Sequence, residues 1–149
     1  MGDTRVVGSE AKVLHMEARC AKCGELAQTV ELVLPGAAHP RAGSAEPGDV
    51  GVYDGLACGD GGTLITSGVM GKAAFAVEET DLPEIVEAFR NADMLPLHRK
   101  DSEWVPSFCV NCQAHYCNAH WLKKVYFDEV FYDYTDGTCP EGHTKQLDD

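Results

Sequence analysis

Residues 109–120 read CVNCQAHYCNAH, and this run decides how the 149-residue chain is read. It holds two ligand-like pairs, Cys109-x2-Cys112 and Cys117-x2-His120, with four residues between them. Two further pairs flank it: Cys20-x2-Cys23 far upstream and Cys139-x3-His143 just downstream. A tight Cys-x2-Cys turn offers two thiolates at about the 2.3 Å bond length zinc prefers, and imidazole suits the same tetrahedral set. Each pair supplies half a site, so four pairs make two. The expected metal ligands are Cys20, Cys23, Cys109, Cys112, Cys117, His120, Cys139 and His143, holding two zinc ions. Seven cysteines are an odd number for disulfides, and six of them sit in these pairs, leaving Cys58 over.

Charge narrows the function. The chain carries 24 acidic and 12 basic side chains, a formal net charge of -12. Six thiolates and two Zn²⁺ take this to about -14, because ligating cysteines must deprotonate. Such a chain repels phosphate backbones, so no nucleic acid is expected as partner, and a basic protein is favoured. No apolar run approaches the roughly 20 residues that span a bilayer. The start, MGDTRVVGSEAKV, lacks the apolar core of a signal peptide, and Val6 stands where myristoylation needs Ser or Thr. The expected compartment is the cytoplasm, without membrane attachment.

Along the chain, residues 11–34 read as strand, CAKCG turn, strand, with Val13, His15 and Glu17 alternating against Leu14, Met16 and Ala18. Residues 35–49 are rich in Pro, Gly, Ala and Ser and read as a surface loop. DVGVYDGLAC, GTLITSG and KAAFAVEET follow, separated by glycine turns, and suggest an antiparallel meander. Residues 81–92 predict a helix: Asp81 with Glu84 makes a capping-box pattern, and Leu82, Ile85, Val86 and Phe89 share one face. Leu95-Pro96 lies beyond its end. A shorter helix is expected from Cys117, carrying Trp121, Leu122 and Val125, and the last segment reads as strand, Cys/His knuckle and return strand.

The ladder of Cys109-x2-Cys112-x4-Cys117-x2-His120 with a pair on each side resembles the cross-brace, treble-clef-like zinc fingers, the group that includes FYVE and RING domains. That resemblance is confined to ligand spacing. It implies that the first pair joins the third and the second joins the fourth, so Cys20, Cys23, Cys117 and His120 hold one ion, and Cys109, Cys112, Cys139 and His143 the other. The residues alone leave a sequential pairing open. The 85 residues between Cys23 and Cys109 imply an inserted unit. No basic phosphoinositide motif surrounds Cys109, so lipid-headgroup binding does not carry over, and no pattern for ubiquitin transfer can be placed.

Eight ligands for two ions leave no open coordination position, which points to structural rather than catalytic zinc. The alternative is a zinc-dependent hydrolase or thiol enzyme with an open site involving His115 or Cys58. His115, between the central pairs, reads as a surface or supporting group. His15 and His39 read as solvent-facing, and His98 as part of an exposed polar stretch. Cys58 reads as a small buried hydrophobe, since no neighbouring base activates it. Gly71-Lys72 fails the phosphate-loop pattern, because Thr66 and Ala73 replace required residues. In YFDEVFYDYTDG (126–137) alternate aromatics read as core with Asp128, Glu129, Asp133 and Asp136 solvated; the other reading is a docking surface.

Together these readings predict a single α+β domain over residues 1–149. It comprises an N-terminal zinc-knuckle hairpin (11–34), an inserted sheet-and-helix unit (35–108) and a zinc-binding C-terminal segment (109–149). The small antiparallel meander and helix pack with a two-zinc cross-brace module built from both chain ends. The expected function is non-enzymatic: an adaptor or inhibitor, of immunity-like character, that presents an acidic surface to a basic protein.

Overall fold

The computed structural model describes residues 2–7, 12–55 and 58–149, the first six by backbone alone. Ala11, Leu56 and Ala57, which the sequence reading placed in elements, lie outside the described residues. The fold is α+β.

Five strands form one antiparallel sheet in chain order: β1 (Gly2–Val7), β2 (Val13–Arg19), β3 (Leu26–Val33), β4 (Thr63–Gly68) and β5 (Gly71–Ala76). The alternation seen in β2 sets its two faces, because successive strand side chains point to opposite sides. Leu14, Leu32 and Leu64 stand in register across β2, β3 and β4, and Met16 pairs with Val30. These residues are buried against helix α1 (Leu82–Arg90), whose Ile85, Ala88 and Phe89 they meet, and against Leu97 of α2 (Leu95–Lys100).

On the opposite face Val13, Val33 and Ile65 are covered by Tyr53 from the 35–55 loop. That loop is tied down by charge. The buried Asp49 carboxylate accepts from Lys72 and Arg41, and Ser44 Oγ donates to it at 2.9 Å. Here the meander expectation needs correcting. GTLITSG and KAAFAVEET supply β4 and β5, but the described part of DVGVYDGLAC is a chain of turns, with Gly51 and Gly55 at φ of +80° and +76°. Glycine favours such conformations over a strand.

Other local readings also change. Asp81 does not cap α1: the 3-10 turn Glu79–Asp81 runs into the helix, Asp81 is itself helical, and its carboxylate takes Lys100 at 3.1 Å. Leu95 and Pro96 open α2, where the missing N–H of proline costs nothing in a first turn. The helix expected from Cys117 is a single 3-10 turn, Asn118–His120, followed by strand β8 (Leu122–Asp128). The β-branched and aromatic residues Val125, Tyr126 and Phe127 suit a pleated strand, and they pair with β9 (Phe131–Thr138).

The C-terminal part carries the short hairpin β6–β7 (Phe108–Cys109, Ala114–His115) and the sheet β10-β9-β8, where β10 is Thr144–Asp148. Its core is Tyr116, Trp121 and Leu147, packed with Cys20, Cys109, Cys117 and Cys139. Ser107 stitches this core to the large sheet: its N–H donates to Gln28 Oε1 of β3, and its carbonyl accepts from Trp121 Nε1 and the Tyr116 N–H. Among the described residues no helix is long and apolar enough to cross a membrane.

Candidate metal centres

The four Cys/His pairs sit on four turns. The first two knuckles to compare are Cys20–Gly24 and Cys139–His143. In each, a glycine N–H returns to the first cysteine's carbonyl at 2.9 Å, Gly24 to Cys20 and Gly142 to Cys139. In each, a backbone N–H also points at the first sulfur at 3.4 Å, from Lys22 and from His143. Both glycines hold positive φ, +77° and +93°. At Cys109–Cys112 the residue after the pair is Gln113 at φ +53°, standing where Gly24 stands in the first knuckle. The fourth pair spans the 3-10 turn after Cys117, whose carbonyl accepts the His120 N–H at 2.9 Å.

These turns converge in two groups. Cys20, Cys23, Cys117 and His120 form one cluster, and Cys109, Cys112, Cys139 and His143 the other, with the candidate ligand atoms of each within 4.8 Å of one another. In the first, Cys23 Sγ is 3.7 Å from Cys117 Sγ, and His120 Nδ1 is 3.6 and 3.2 Å from the sulfurs of Cys20 and Cys117. In the second, Cys112 Sγ is 3.7 Å from Cys139 Sγ, and His143 Nδ1 lies 3.7, 3.3 and 3.4 Å from Cys109, Cys112 and Cys139. A tetrahedral ion with zinc's bond lengths requires edges of about 3.8 Å between sulfurs and about 3.5 Å between sulfur and nitrogen. The separations above lie close to these edges in both donor sets, and each can hold a metal ion. Soft thiolates with imidazole suit zinc.

Electrostatics favour a cation in both. Burial pushes the Cys20 thiol up, but N–H groups of Cys117, Lys22 and Cys23 outweigh it and bring it to about 6. Burial likewise opposes ionisation of Cys139, and the N–H groups of His143 and Glu141 bring it to about 7. Cys109 is driven the other way by burial, to about 11. An exposed ion pair, Lys22 with Glu141 at 3.2 Å, links the first knuckle to the last.

Residues outside the clusters differ from the sequence reading. His115 is buried, belongs to neither group, and its Nδ1 sits 2.8 Å from Ser107 Oγ. Burial holds its imidazole down to about 3, with Lys145 and His98 adding to the effect. His98 is half-buried in α2 against Phe108, their ring centroids 5.1 Å apart, and burial lowers it to about 4. His39 is buried rather than solvent-facing: its Nδ1 accepts from the Arg41 N–H, so Nε2 donates to Glu31 at 2.9 Å. His15 lies between Glu17 and Glu31, at 3.2 and 3.6 Å. Cys58 is exposed, not a buried hydrophobe, because it follows the turns of the 35–55 loop rather than a strand. Sequence reasoning passed over Lys145, which lines a cavity with Cys109 and His143. The period of two in β10 was the available signal, since Lys145 shares the inward face with buried Leu147.

The aromatic stretch is also corrected. Tyr126 and Tyr134 stack across β8 and β9 at 4.4 Å, but Phe127 (63% exposed), Val130 (83%) and Phe131 (72%) stand out at the hairpin's end.

The fold and the site thus define an α+β protein with two Cys3His clusters able to hold metal. Residues 10–149 match the model of a family described as a domain of unknown function (DUF8328), and the chain belongs to that family. No curated protein matches the chain, and no solved structure matches it.

Proposed function

We propose that this is a cytoplasmic, non-enzymatic protein-binding module in which two structural zinc ions hold the β8–β9 hairpin out toward a basic protein. In this reading Cys20, Cys23, Cys117 and His120 ligate one ion, and Cys109, Cys112, Cys139 and His143 the other. Four protein ligands per ion leave no position for a water, so the ions organise the fold.

The observation that carries the reading is the hairpin's end. Phe127, Val130 and Phe131 are exposed there beside the equally exposed Asp128, Glu129 and Asp133. Exposed aromatics supply contact area, and carboxylates supply steering and partner choice. A net charge of -12 extends that field over the molecule. Strand addition at the open edge of β8 is disfavoured by Lys123 and Lys124, since edge lysines block pairing with another chain. Contact through side chains at the tip remains. An adaptor or an inhibitor of immunity-like character fits this chemistry.

The test is an affinity capture from the native host with salt elution, run on three proteins. These are the wild type, a Phe127→Ser/Phe131→Ser double variant, and an Asp128→Asn/Glu129→Gln/Asp133→Asn triple variant. A basic protein retained by the wild type and lost from both variants supports the reading. Equal retention by all three removes the hairpin from it.

A further inference from the structure

The two clusters do not sit in the same electrostatic surroundings. A centre of three thiolates, one imidazole and a divalent ion carries one net negative charge. At the first cluster the knuckle's lysine, Lys22, is exposed and already paired with Glu141. At the second, Lys145 extends inward from β10. It donates from Nζ to the Phe108 carbonyl and lies 5.4 Å from the Trp121 ring centroid. No ion pair joins it to a carboxylate among the described residues, and the carbonyl it meets belongs to the residue just before Cys109. It also borders a cavity of about 280 Å³ whose wall includes Cys109 and His143 and no carboxylate.

A half-buried ammonium without an anion is costly, and so is a half-buried anionic metal centre without a cation. Side by side each offsets the other. We propose that Lys145 is the built-in counter-cation of the Cys109–Cys112–Cys139–His143 centre, making it the tighter and less reactive of the two. This rests on the zinc reading above. Lys145 is a positioning residue here: it ligates nothing, and it acts by neutralising the sulfurs that do. Partial neutralisation lowers the nucleophilicity of coordinated thiolates, which slows metal loss.

The test uses zinc-loaded full-length protein and the variants Lys145→Met, Lys145→Gln and Lys145→Arg. Zinc release to a chromogenic chelator gives the rates. Mass-spectrometric mapping of iodoacetamide alkylation shows which cysteines become reactive. Met and Gln are expected to speed release of one of the two zincs about tenfold, a change of about 1.4 kcal/mol. Alkylation should rise at Cys109, Cys112 and Cys139 and stay constant at Cys20, Cys23 and Cys117. Arg keeps the charge and the wild-type rate. Should Met fail to fold, Gln against Arg decides the matter. Wild-type release in Gln would show that a hydrogen bond suffices and would overturn the counter-cation role. Equal acceleration at both centres would overturn it too. A preparation that holds no zinc defeats the metal reading itself, and Lys145's role with it.

Discussion

Cys23 Sγ and Cys117 Sγ lie 3.7 Å apart although they stand 94 positions apart in the chain. That contact closes the β2–β3 turn onto the C-terminal segment, and it ties the large sheet to the small one. The Ala21 N–H to His115 carbonyl bond and a shared apolar cluster already bring the two turns together. An ion shared between Cys20, Cys23, Cys117 and His120 would link them directly.

Ligand loss should therefore have large consequences. Structural zinc contributes about 10–16 kcal/mol of apparent binding energy in small sites, and that energy is folding energy. Cys139→Ser is expected to lose one zinc and at least about 3 kcal/mol of stability, with β9 and β10 parting first. Zinc content and a circular-dichroism melt check it. Unchanged values for both would exclude Cys139 as a ligand.

Gly137 of β9 has no room for a side chain. A Cβ there would stand 2.5 Å from Leu147 Cδ1 and 3.0 Å from Trp121 Cε3. Gly137→Ala should destabilise by about 1–3 kcal/mol through overpacking. Urea denaturation measures this, and a neutral result would mean that β10 yields without cost.

The hairpin's end should behave in the opposite way. Phe131→Ser is expected to change stability by no more than about 0.5 kcal/mol, because exposed side chains outside special features rarely matter to folding. Phe89→Ala, in the core under the sheet, should cost about 3–5 kcal/mol. A large loss at Phe131 would mean that its ring is packed in solution, against the docking reading.

Asp49 gives the fold an acid limb. Its hydrogen bond from Lys72, with others from Ser44 and Arg41, holds the carboxyl down to about 2 from 3.8. The folded state thus favours the charged form. The resulting stability is complete above the unfolded value of 3.8 and is lost as pH falls through about 2. Asp49→Asn should lower the melting temperature at pH 7 and flatten the decline between pH 4 and pH 2. A variant as stable as wild type at neutral pH would show that the 35–55 loop is held by Tyr53 and its neighbours alone.

Parts of this were legible in the sequence for definite reasons. Ligand pairs are local, so the knuckles at Cys20, Cys109 and Cys139 could be read from spacing, and the β2 alternation set the faces of the sheet. Convergence is non-local. Nothing in the residues distinguishes crossed from sequential pairing, and only the resemblance to cross-brace fingers pointed to the grouping seen. Trp121, Leu122 and Val125 misled because their spacing fits a helix turn as well as the start of a strand. The exposed Phe127 and Phe131 looked like core because alternation says which residues share a face, while leaving open whether anything covers it. His39 and His98 were misplaced because burial there comes from a loop and from a second helix that polar letters concealed.

The most direct test of the metal account is native mass spectrometry of the purified wild-type chain, repeated after prolonged buffer exchange. The account predicts a mass carrying two zinc ions per chain that survives exchange and falls to the bare chain on acidification. A bare chain from the outset, or metal lost on exchange, would contradict it.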